Sequence, residues 1–319
     1  GYAMKRLTNI LSLMIVAILL STNLCFGQNS VGKLMPSAEV VFVNLNLKYP
    51  MVDMLVNEDT DFKKNDIILS AISMKKKLKY DLNDLTDLYK SEDEKVLVRF
   101  LREGKENVQV FTGKDFRGIY LSFTQQFCGT ITAVSEDGSF IGLSHNVDGS
   151  EVALSTQVFE TSYVHSIKAT LFNDGGLKPH LKENKEGKLN YIGDINKYSE
   201  YGVKGKLKES TFNDKDALEV TKPKKGKAYI YCKSPVTNEK KLHEIEITKI
   251  YEDGAKIKVK DKELKEYRGG VIGGMSGSPV IQDGKLVGGI RSSFIYNHKI
   301  GFISNVDYML NPEGESCRN

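Results

Sequence analysis

The 319-residue sequence has no tryptophan, only four cysteines and only five histidines. It contains no Cys-x-x-Cys pair and no His-x-x-x-His pair, the spacings at which zinc ligands usually occur. Cys25 belongs to an N-terminal apolar segment, so Cys128, Cys232 and Cys317 remain, an odd number that favours no disulfide framework. The scarcity of these residues predicts neither a metal site nor a small disulfide-stabilised domain.

A strong excess of one charge is also missing, because 45 lysines and arginines face 41 acidic residues and leave a net charge of +4. Lysines cluster in KGKLKE and TKPKKGKAY, but no stacking aromatic side chains are interleaved with them. The balance predicts a solvated, lysine-rich surface and no nucleic-acid partner. An anionic membrane surface is the less favoured alternative.

Residues 1–27 have the layout of an export signal. In MKRLTNILSLMIVAILLSTNLCFGQNS, two basic residues precede an apolar run from Ile10 to Leu20, and small and polar residues follow it. The run is shorter than the roughly 20 apolar residues of a membrane-spanning helix. We therefore expect export, with this segment acting either as a signal peptide cleaved after about Gly27 or as a retained membrane anchor.

Residues 36–115 form the first predicted domain. AEVVFVNL and NDIILSAIS predict strands, YDLNDLTDLYKS predicts an amphipathic helix, and KVLVRFLREGKENVQVF predicts a hairpin with a glycine-containing turn. This order resembles that of a PDZ domain. However, no clear match to the Gly-Leu-Gly-Phe type loop, which holds a peptide's terminal carboxylate, occurs here. A small α+β PDZ-like fold is expected, and its ligand stays open.

Residues 116–312 follow a different pattern of short strands separated by Gly, Asn and Asp turns. Examples are GTITAVS, SFIGLSH, KAYIYC and LHEIEITKIY, with little helical pattern before SNVDYML near the end. Many short strands at close spacing are typical of a β-sandwich or a β-barrel. The second segment is therefore predicted to be an all-β domain.

One serine in this second domain has the surroundings of a nucleophile. In GMSGSP, residues 274–279, glycines before and after Ser276 permit a tight backbone turn. Such a turn can direct the N–H groups of Gly274 and Ser276 into one small space beside the serine hydroxyl, as in an oxyanion hole. The motif and the Asp-Gly hairpin after it resemble the nucleophile segment of chymotrypsin-like serine peptidases. A loose glycine-rich turn between strands is the alternative.

A serine nucleophile needs a neighbouring base. His145 ends the apolar strand FIGLSH, where a turn would present its ring at the rim of a barrel, and it precedes Ser276 as in a two-barrel peptidase. A surface histidine with only local hydrogen bonds is the alternative. The other histidines are less suitable because they lie in strand patterns, a polar loop or a predicted turn: His165, His180, His243 and His298.

The landmarks of this domain resemble one family in particular. GTITAVSEDGSFIGLSH, VHSIKATLF, EYGVKGKLK, HEIEITKIY and DKELKEYRGGVIGGMSGSPVIQDGKLVGGI are similar to successive segments of the stage IV sporulation protein B peptidases of endospore-forming bacteria. The resemblance extends over residues 116–311. It implies a mainly β, chymotrypsin-like double β-barrel preceded by a PDZ-like domain. It also implies serine endopeptidase activity, self-cleavage, and no metal or organic cofactor.

The resemblance further implies the acid of a catalytic triad. In that family the acid lies fifteen residues before the nucleophile in an Asp-x-Glu-Leu segment, which here is Asp261. Asp261 would hold the His145 tautomer and stabilise its imidazolium while Ser276 attacks. The residues alone do not single it out, because three other carboxylates are also nearby: Asp253, Glu263 and Glu266.

The sequence departs from the family pattern at two places. Ser144 precedes His145 where the family usually has glycine, and Arg291-Ser292-Ser293 follows the hairpin where the family often carries a histidine. All three triad candidates are present, so we expect an altered substrate preference rather than lost activity.

The sequence thus predicts an exported serine endopeptidase of sporulation signalling, membrane-tethered or soluble in the space between forespore and mother cell. Its expected substrates are a membrane-associated or exported regulatory protein and the enzyme itself. A catalytically inactive peptidase-like scaffold that binds a partner through the PDZ-like domain is the first alternative. A plain exported β-barrel binding protein with a glycine-rich hairpin is the second.

Overall fold

The structure, a computed structural model, describes residues 32–57, 59–143, 145 and 147–311. Its strands are β1 Met35–Leu55, β2 Ile67–Ser73, β3 Lys95–Arg102, β4 Lys105–Thr112, β5 Ile119–Val134, β6 Ser139–Gly142, β7 Ala153–Ile167, β8 Gly176–Leu181, β9 Tyr191–Ser199, β10 Gly202–Leu207, β11 Gly226–Lys233, β12 Lys240–Ile250, β13 Gly254–Val259, β14 Pro279–Gln282, β15 Lys285–Phe294 and β16 Asn297–Asn305. Its helices are α1 Thr86–Tyr89, α2 Gly113–Arg117 and α3 Val306–Leu310, with a π-helical turn at Leu264–Arg268.

The N-terminal segment predicted to direct export, residues 1–27, lies outside the described residues, as do Cys25 and Cys317. Within the described part of the chain, no helix is long and apolar enough to cross a membrane.

Six strands close the first barrel in the order β1-β5-β6-β10-β9-β7, and β7 pairs back with β1. Strand β1 alternates apolar and polar residues over VFVNLNL, so that Val43, Leu45 and Leu47 are buried in the barrel. The same stretch of β1 pairs with β5 on one edge and with β7 on the other. The apolar residues at every second position of β1 therefore contribute to the core of this barrel.

The second barrel closes in the order β11-β12-β13-β16-β15-β14. In β12, Ile245 and Ile247 are buried inside the barrel, while the alternating residues Glu244 and Glu246 are more accessible. Strands β14 and β15 form the hairpin expected from the sequence, with both Asp283 and Gly284 at positive φ in its turn. Two closed six-stranded barrels confirm the prediction of a mainly β, double-barrel peptidase fold.

A small α+β unit is inserted between β1 and β5, which are neighbouring strands of the first barrel. The end of β1 pairs with both β2 and β5, and β3 and β4 extend this sheet outward. Its core contains stacked rings of Phe62 and Phe111 with centroids 3.9 Å apart. The helix expected over residues 80–91 is reduced to the four residues of α1.

This arrangement divides the chain differently from the predicted limits of 36–115 and 116–312. Residues 39–47 pair with β5 and β7, so the strand expected to begin the PDZ-like domain belongs to the first barrel. The physical reason is that β1 is one 21-residue strand that runs from the first barrel into the inserted unit within a single ten-stranded sheet. A PDZ-like role of the inserted unit stays a prediction.

Candidate active site

The serine motif forms the tight turn that its glycines predict, in the segment between the π-helical turn and β14. Gly274 has φ +86° and Gly277 has φ +91°, a region that side chains with a Cβ rarely adopt. A Cβ on Gly277 would lie 1.9 Å from the carbonyl oxygen of Thr130, and one on Gly274 would lie 2.7 Å from Cys128 Sγ. Both the backbone conformation and the lack of space therefore require glycine.

Strand β5 of the first barrel holds this turn in place. The Thr130 amide donates to the Ser276 carbonyl at 2.8 Å, and the Thr130 hydroxyl donates to the Gly274 carbonyl at 2.8 Å. The hydroxyl of Thr132 donates to the Gly277 carbonyl at 2.6 Å. Neither threonine is singled out by the sequence, although their alternate positions in the strand pattern GTITAV are a signal, because two hydroxyls on one face of a buried strand need hydrogen-bond partners.

A pocket of about 420 Å³ lies between the barrels, and the serine turn forms one wall. The structure brings three predicted site residues together here, because His145, Gly274 and Ser276 all line the pocket. The other lining residues come from both barrels: Gln125, Phe127, Cys128, Leu143, Val147, Asp148, Val271, Ile272, Gly273, Ile290, Arg291, Ser292 and Ser293. A substrate backbone lying in this pocket would pass between the serine and the histidine.

The hydroxyl of Ser276 donates a hydrogen bond to the carbonyl of Leu143. Leu143 follows β6 directly and has φ +61°, which is unusual for a residue with a branched side chain. This backbone conformation turns the Leu143 carbonyl toward the serine, two residues before His145. The segment that carries the histidine therefore contacts the nucleophile through its backbone.

Two backbone donors beside the serine have no acceptor in the described part of the chain. The amides of Met275 and Gly277 donate to Ile272 and Ile290 carbonyls at 3.1 and 2.7 Å, whereas those of Gly274 and Ser276 donate to none of the described residues. Unpaired backbone N–H groups are rare away from solvent. These two amides are the donors assigned to an oxyanion hole from the sequence, and they are open to a ligand oxygen.

Asp261 lies against His243, and it is not among the residues that line the pocket. Its Oδ1 is 3.1 Å from His243 Nδ1 and accepts the Leu264 amide at 2.8 Å. The amide of Asp261 itself donates to the Glu244 carbonyl at 2.9 Å, which fixes the residue beside β12. The structure therefore places the predicted acid beside His243, a histidine set aside from the sequence. The role of Asp261 as the acid that orients His145 stays a prediction.

Burial changes the pKa values of both His243 and Asp261. Burial lowers the pKa of His243, and the neighbouring carboxylate only partly opposes this effect. Burial alone would raise the pKa of Asp261, but the Leu264 amide and His243 outweigh it and lower the pKa. A neutral imidazole beside an ionised Asp261 fits both directions, with Nδ1 3.1 Å from the carboxylate oxygen. Among the described residues neither ring nitrogen of His243 has a partner in hydrogen-bond geometry.

Arg268 links this pair to the serine turn. It ends the π-helical turn that follows Asp261, and its side chain is fully buried. Its guanidinium donates to the Lys233 carbonyl at 2.6 Å and to Ser166 Oγ of the first barrel at 3.1 Å, and lies 3.6 Å from Met275 Sδ. No sequence signal identifies it, because an arginine in LKEYRGG is typical of an exposed surface.

Comparisons with known proteins identify one family. The family model SpoIVB peptidase S55 matches residues 114–310. A comparison with curated proteins gives no match.

Among solved structures, the active form of the Rv3671c protease from M. tuberculosis is 15% identical, with 57% of this chain and 70% of that chain covered and a TM-score of 0.33. The HtrA-type protease AlgW with decapeptide is 11% identical, with 88% and 64% covered and a TM-score of 0.37. The serine endoprotease from Yersinia pestis is 12% identical, with 58% and 55% covered and a TM-score of 0.34.

These structural similarities are remote, and the identification comes from the family match, which spans more than half of the chain. The matched residues contain both predicted reactive side chains, His145 and Ser276, and these line one pocket between two closed barrels. The chain therefore belongs to the SpoIVB peptidase S55 family and is a serine endopeptidase that acts on protein substrates.

Proposed function

We propose that this peptidase is exported, that it cleaves a membrane-associated or exported regulatory protein in sporulation signalling, and that it also cleaves itself. Two observations support the proposal: the family to which the chain belongs, and the export layout of residues 1–27. The peptidase chemistry is carried by one observation, the meeting of His145, Ser276 and two unpaired amides at a single pocket.

In the proposed reaction, Ser276 Oγ attacks the carbonyl carbon of the scissile bond and its proton passes to His145. The amides of Gly274 and Ser276 stabilise the negative oxygen of the tetrahedral intermediate. His145 then protonates the leaving amine, and water releases the acyl group by the same steps in reverse. The serine hydroxyl donates to Leu143 in the present conformation, so it turns about its Cα–Cβ bond before attack.

Asp261 has a positioning role in this proposal and acts through other residues. Its carboxylate holds His243 and the first amide of the π-helical turn, and that turn ends at Arg268. Arg268 packs against Met275, which is the neighbour of the nucleophile in the chain. Loss of Asp261 would thus loosen the serine turn from behind.

The inserted α+β unit is proposed to restrain the anchored enzyme until self-cleavage releases it. One contact supports a physical connection: Asn65 of this unit donates to Asp148 at 3.2 Å, and Asp148 lines the pocket three residues after His145. A shift of the inserted unit would therefore move the segment that carries the histidine.

A fluorophosphonate that labels activated serines tests the chemistry. The full chain is compared with Ser276→Ala and His145→Ala, and circular dichroism shows that each protein is folded. We expect labelling in the wild type only, together with N-terminal fragments that mass spectrometry detects in the wild type and not in Ser276→Ala. Absence of labelling in a folded wild type would favour the scaffold alternative. Labelling without fragments would refute self-cleavage alone.

A further inference from the structure

Two neighbouring loops expose large apolar side chains to solvent. The loop between β7 and β8 presents Leu171 and Phe172, which are 87% and 97% exposed. The turn between β15 and β16 presents Phe294, Ile295 and Tyr296, and the last two are 70% and 81% exposed. Large exposed apolar side chains that cluster on neighbouring loops mark an interaction surface. We call these five residues the apolar rim.

The two loops lie side by side next to the serine turn. His298 Nε2, on β16, lies 3.6 Å from Asp174 Oδ1 of the first loop, which places the loops in contact. The first loop then enters β8, where the Leu177 amide donates to the Gly273 carbonyl at 2.8 Å. Gly273 precedes the oxyanion donor Gly274 in the chain. The apolar rim therefore stands beside the pocket, and none of its residues lines the pocket.

We propose that the apolar rim inserts into the interface of an anionic lipid bilayer and holds the pocket at the membrane surface. Four of the five side chains are 70–97% exposed and Phe294 is 46% exposed, so they project from loop tips, whereas a protein partner fits side chains that line a groove. Tyrosine and phenylalanine at the tips suit the boundary between headgroups and acyl chains.

The charges around the apolar rim complement an anionic bilayer. Three lysines flank the two loops and are exposed: Lys168, Lys178 and Lys299. Within the described residues none of them forms an ion pair, so each can approach a lipid phosphate. The one acidic residue of the first loop, Asp174, is 83% exposed and lies 3.6 Å from His298 Nε2, so the three lysines outnumber the acidic charge of this loop. This docking does not depend on which protein is the substrate.

The absence of tryptophan from the sequence makes a direct test possible. Phe172→Trp and Ile295→Trp each place one tryptophan reporter in the apolar rim. Val108→Trp is the matched control, since Val108 is also an exposed apolar residue, 60% accessible, but lies on β4 of the inserted unit. Each full-length variant is mixed with vesicles that contain anionic lipids and brominated acyl chains, which quench tryptophan only at depth.

We expect a blue shift and strong quenching for both rim reporters and neither change for Val108→Trp. An N-terminal anchor alone would bring all three variants to the vesicles without inserting either loop, so depth is the quantity that decides. Rim reporters that keep their aqueous emission with vesicles would overturn the proposal. A response to a peptide substrate but not to vesicles would also overturn it, in favour of a protein-binding surface.

Fluorophosphonate labelling without vesicles is measured on the same samples. Unchanged labelling shows that the pocket is intact, so a negative vesicle result would refute membrane docking and leave the peptidase chemistry standing. Raising the salt concentration should weaken the insertion of a rim reporter if the lysines contribute, because salt screens their attraction to lipid phosphates.

Discussion

Replacing Gly274 by alanine tests whether its amide stabilises the oxyanion. The residue has φ +86°, and a Cβ there would lie 2.7 Å from Cys128 Sγ and 2.9 Å from Leu177 Cβ. Cys128 can rotate its thiol away, but the Leu177 Cβ is fixed to a backbone that is itself bonded to Gly273. The serine turn must therefore shift, and the Gly274 amide shifts with it.

The magnitude follows from two separable effects. Left-handed backbone costs a residue with a Cβ about 1–2 kcal/mol of stability. Gly284 offers a matched control, since it has φ +72° in the β14–β15 turn and no described residue lies within 4 Å of the position that a Cβ would take. Gly284→Ala should thus show the backbone effect alone. Gly274→Ala should add a loss of about a hundred- to a thousandfold in kcat, as found when an oxyanion donor is removed.

The assay is hydrolysis of a peptide at a temperature well below the unfolding transition of both variants, with thermal unfolding followed by circular dichroism. We expect Gly284→Ala to keep kcat and KM near wild-type values. The loss in Gly274→Ala should fall mainly on kcat, because the oxyanion exists only after attack. If Gly274→Ala keeps kcat within a few-fold of Gly284→Ala, the assignment of this amide to the oxyanion hole is wrong.

Three other predictions concern groups around the site. Burial lowers the pKa of His243, so the folded state binds fewer protons than the unfolded state below about pH 6.5. Stability is therefore lost as the pH falls through the folded pKa of His243. Between pH 7 and 5, the Tm of His243→Gln should fall less than the Tm of the wild type. In Arg268→Lys, the lysine side chain cannot reach all the partners of the arginine guanidinium. The variant should lower the free energy of unfolding by about 3 kcal/mol in urea titrations and reduce kcat more than it raises KM. A Tm and a kcat equal to those of the wild type would contradict the positioning role. Burial raises the pKa of Cys128, which lines the pocket, so iodoacetamide should modify this thiol slowly at neutral pH. Modification should be slower still after fluorophosphonate labelling has filled the pocket. If mass spectrometry shows the same modification rate with and without that label, the thiol does not face the occupied pocket.

Local patterns predicted most strands and the turn around the nucleophile. Alternation in HEIEITK gives β12, and the Asp-Gly pair gives the β14–β15 turn, because both depend on neighbours in the chain. The leucine spacing predicted a helix over residues 80–91, and this prediction was wrong for most of that segment, although Leu85 and Leu88 are buried. The Asp81 side chain instead accepts the Asn83 amide, so turn chemistry replaces the first helical turn.

Contacts between segments that are distant in the chain could not be predicted from the sequence. Asp261 and His243 meet because β12 and β13 pair antiparallel with Ile245 opposite Val259, and no pattern in either segment reveals that partner. The continuation of β1 from the barrel into the inserted unit could not be predicted for the same reason, since a long alternating strand does not show where its pairing partner changes.

The sequence by itself determined the backbone of the nucleophile, because Gly274 and Gly277 act through conformational freedom, which belongs to each residue alone. It also predicted an all-β domain with His145 at the end of an apolar strand, whereas the double barrel came from the resemblance to a known family. Only the tertiary structure decided what surrounds these groups: the threonine hydroxyls of β5 that hold the serine turn, the buried Arg268 behind it, and the histidine that binds Asp261. Hydrogen bonds and burial in a closed barrel depend on which strands become neighbours, and that is settled only when the whole chain has folded.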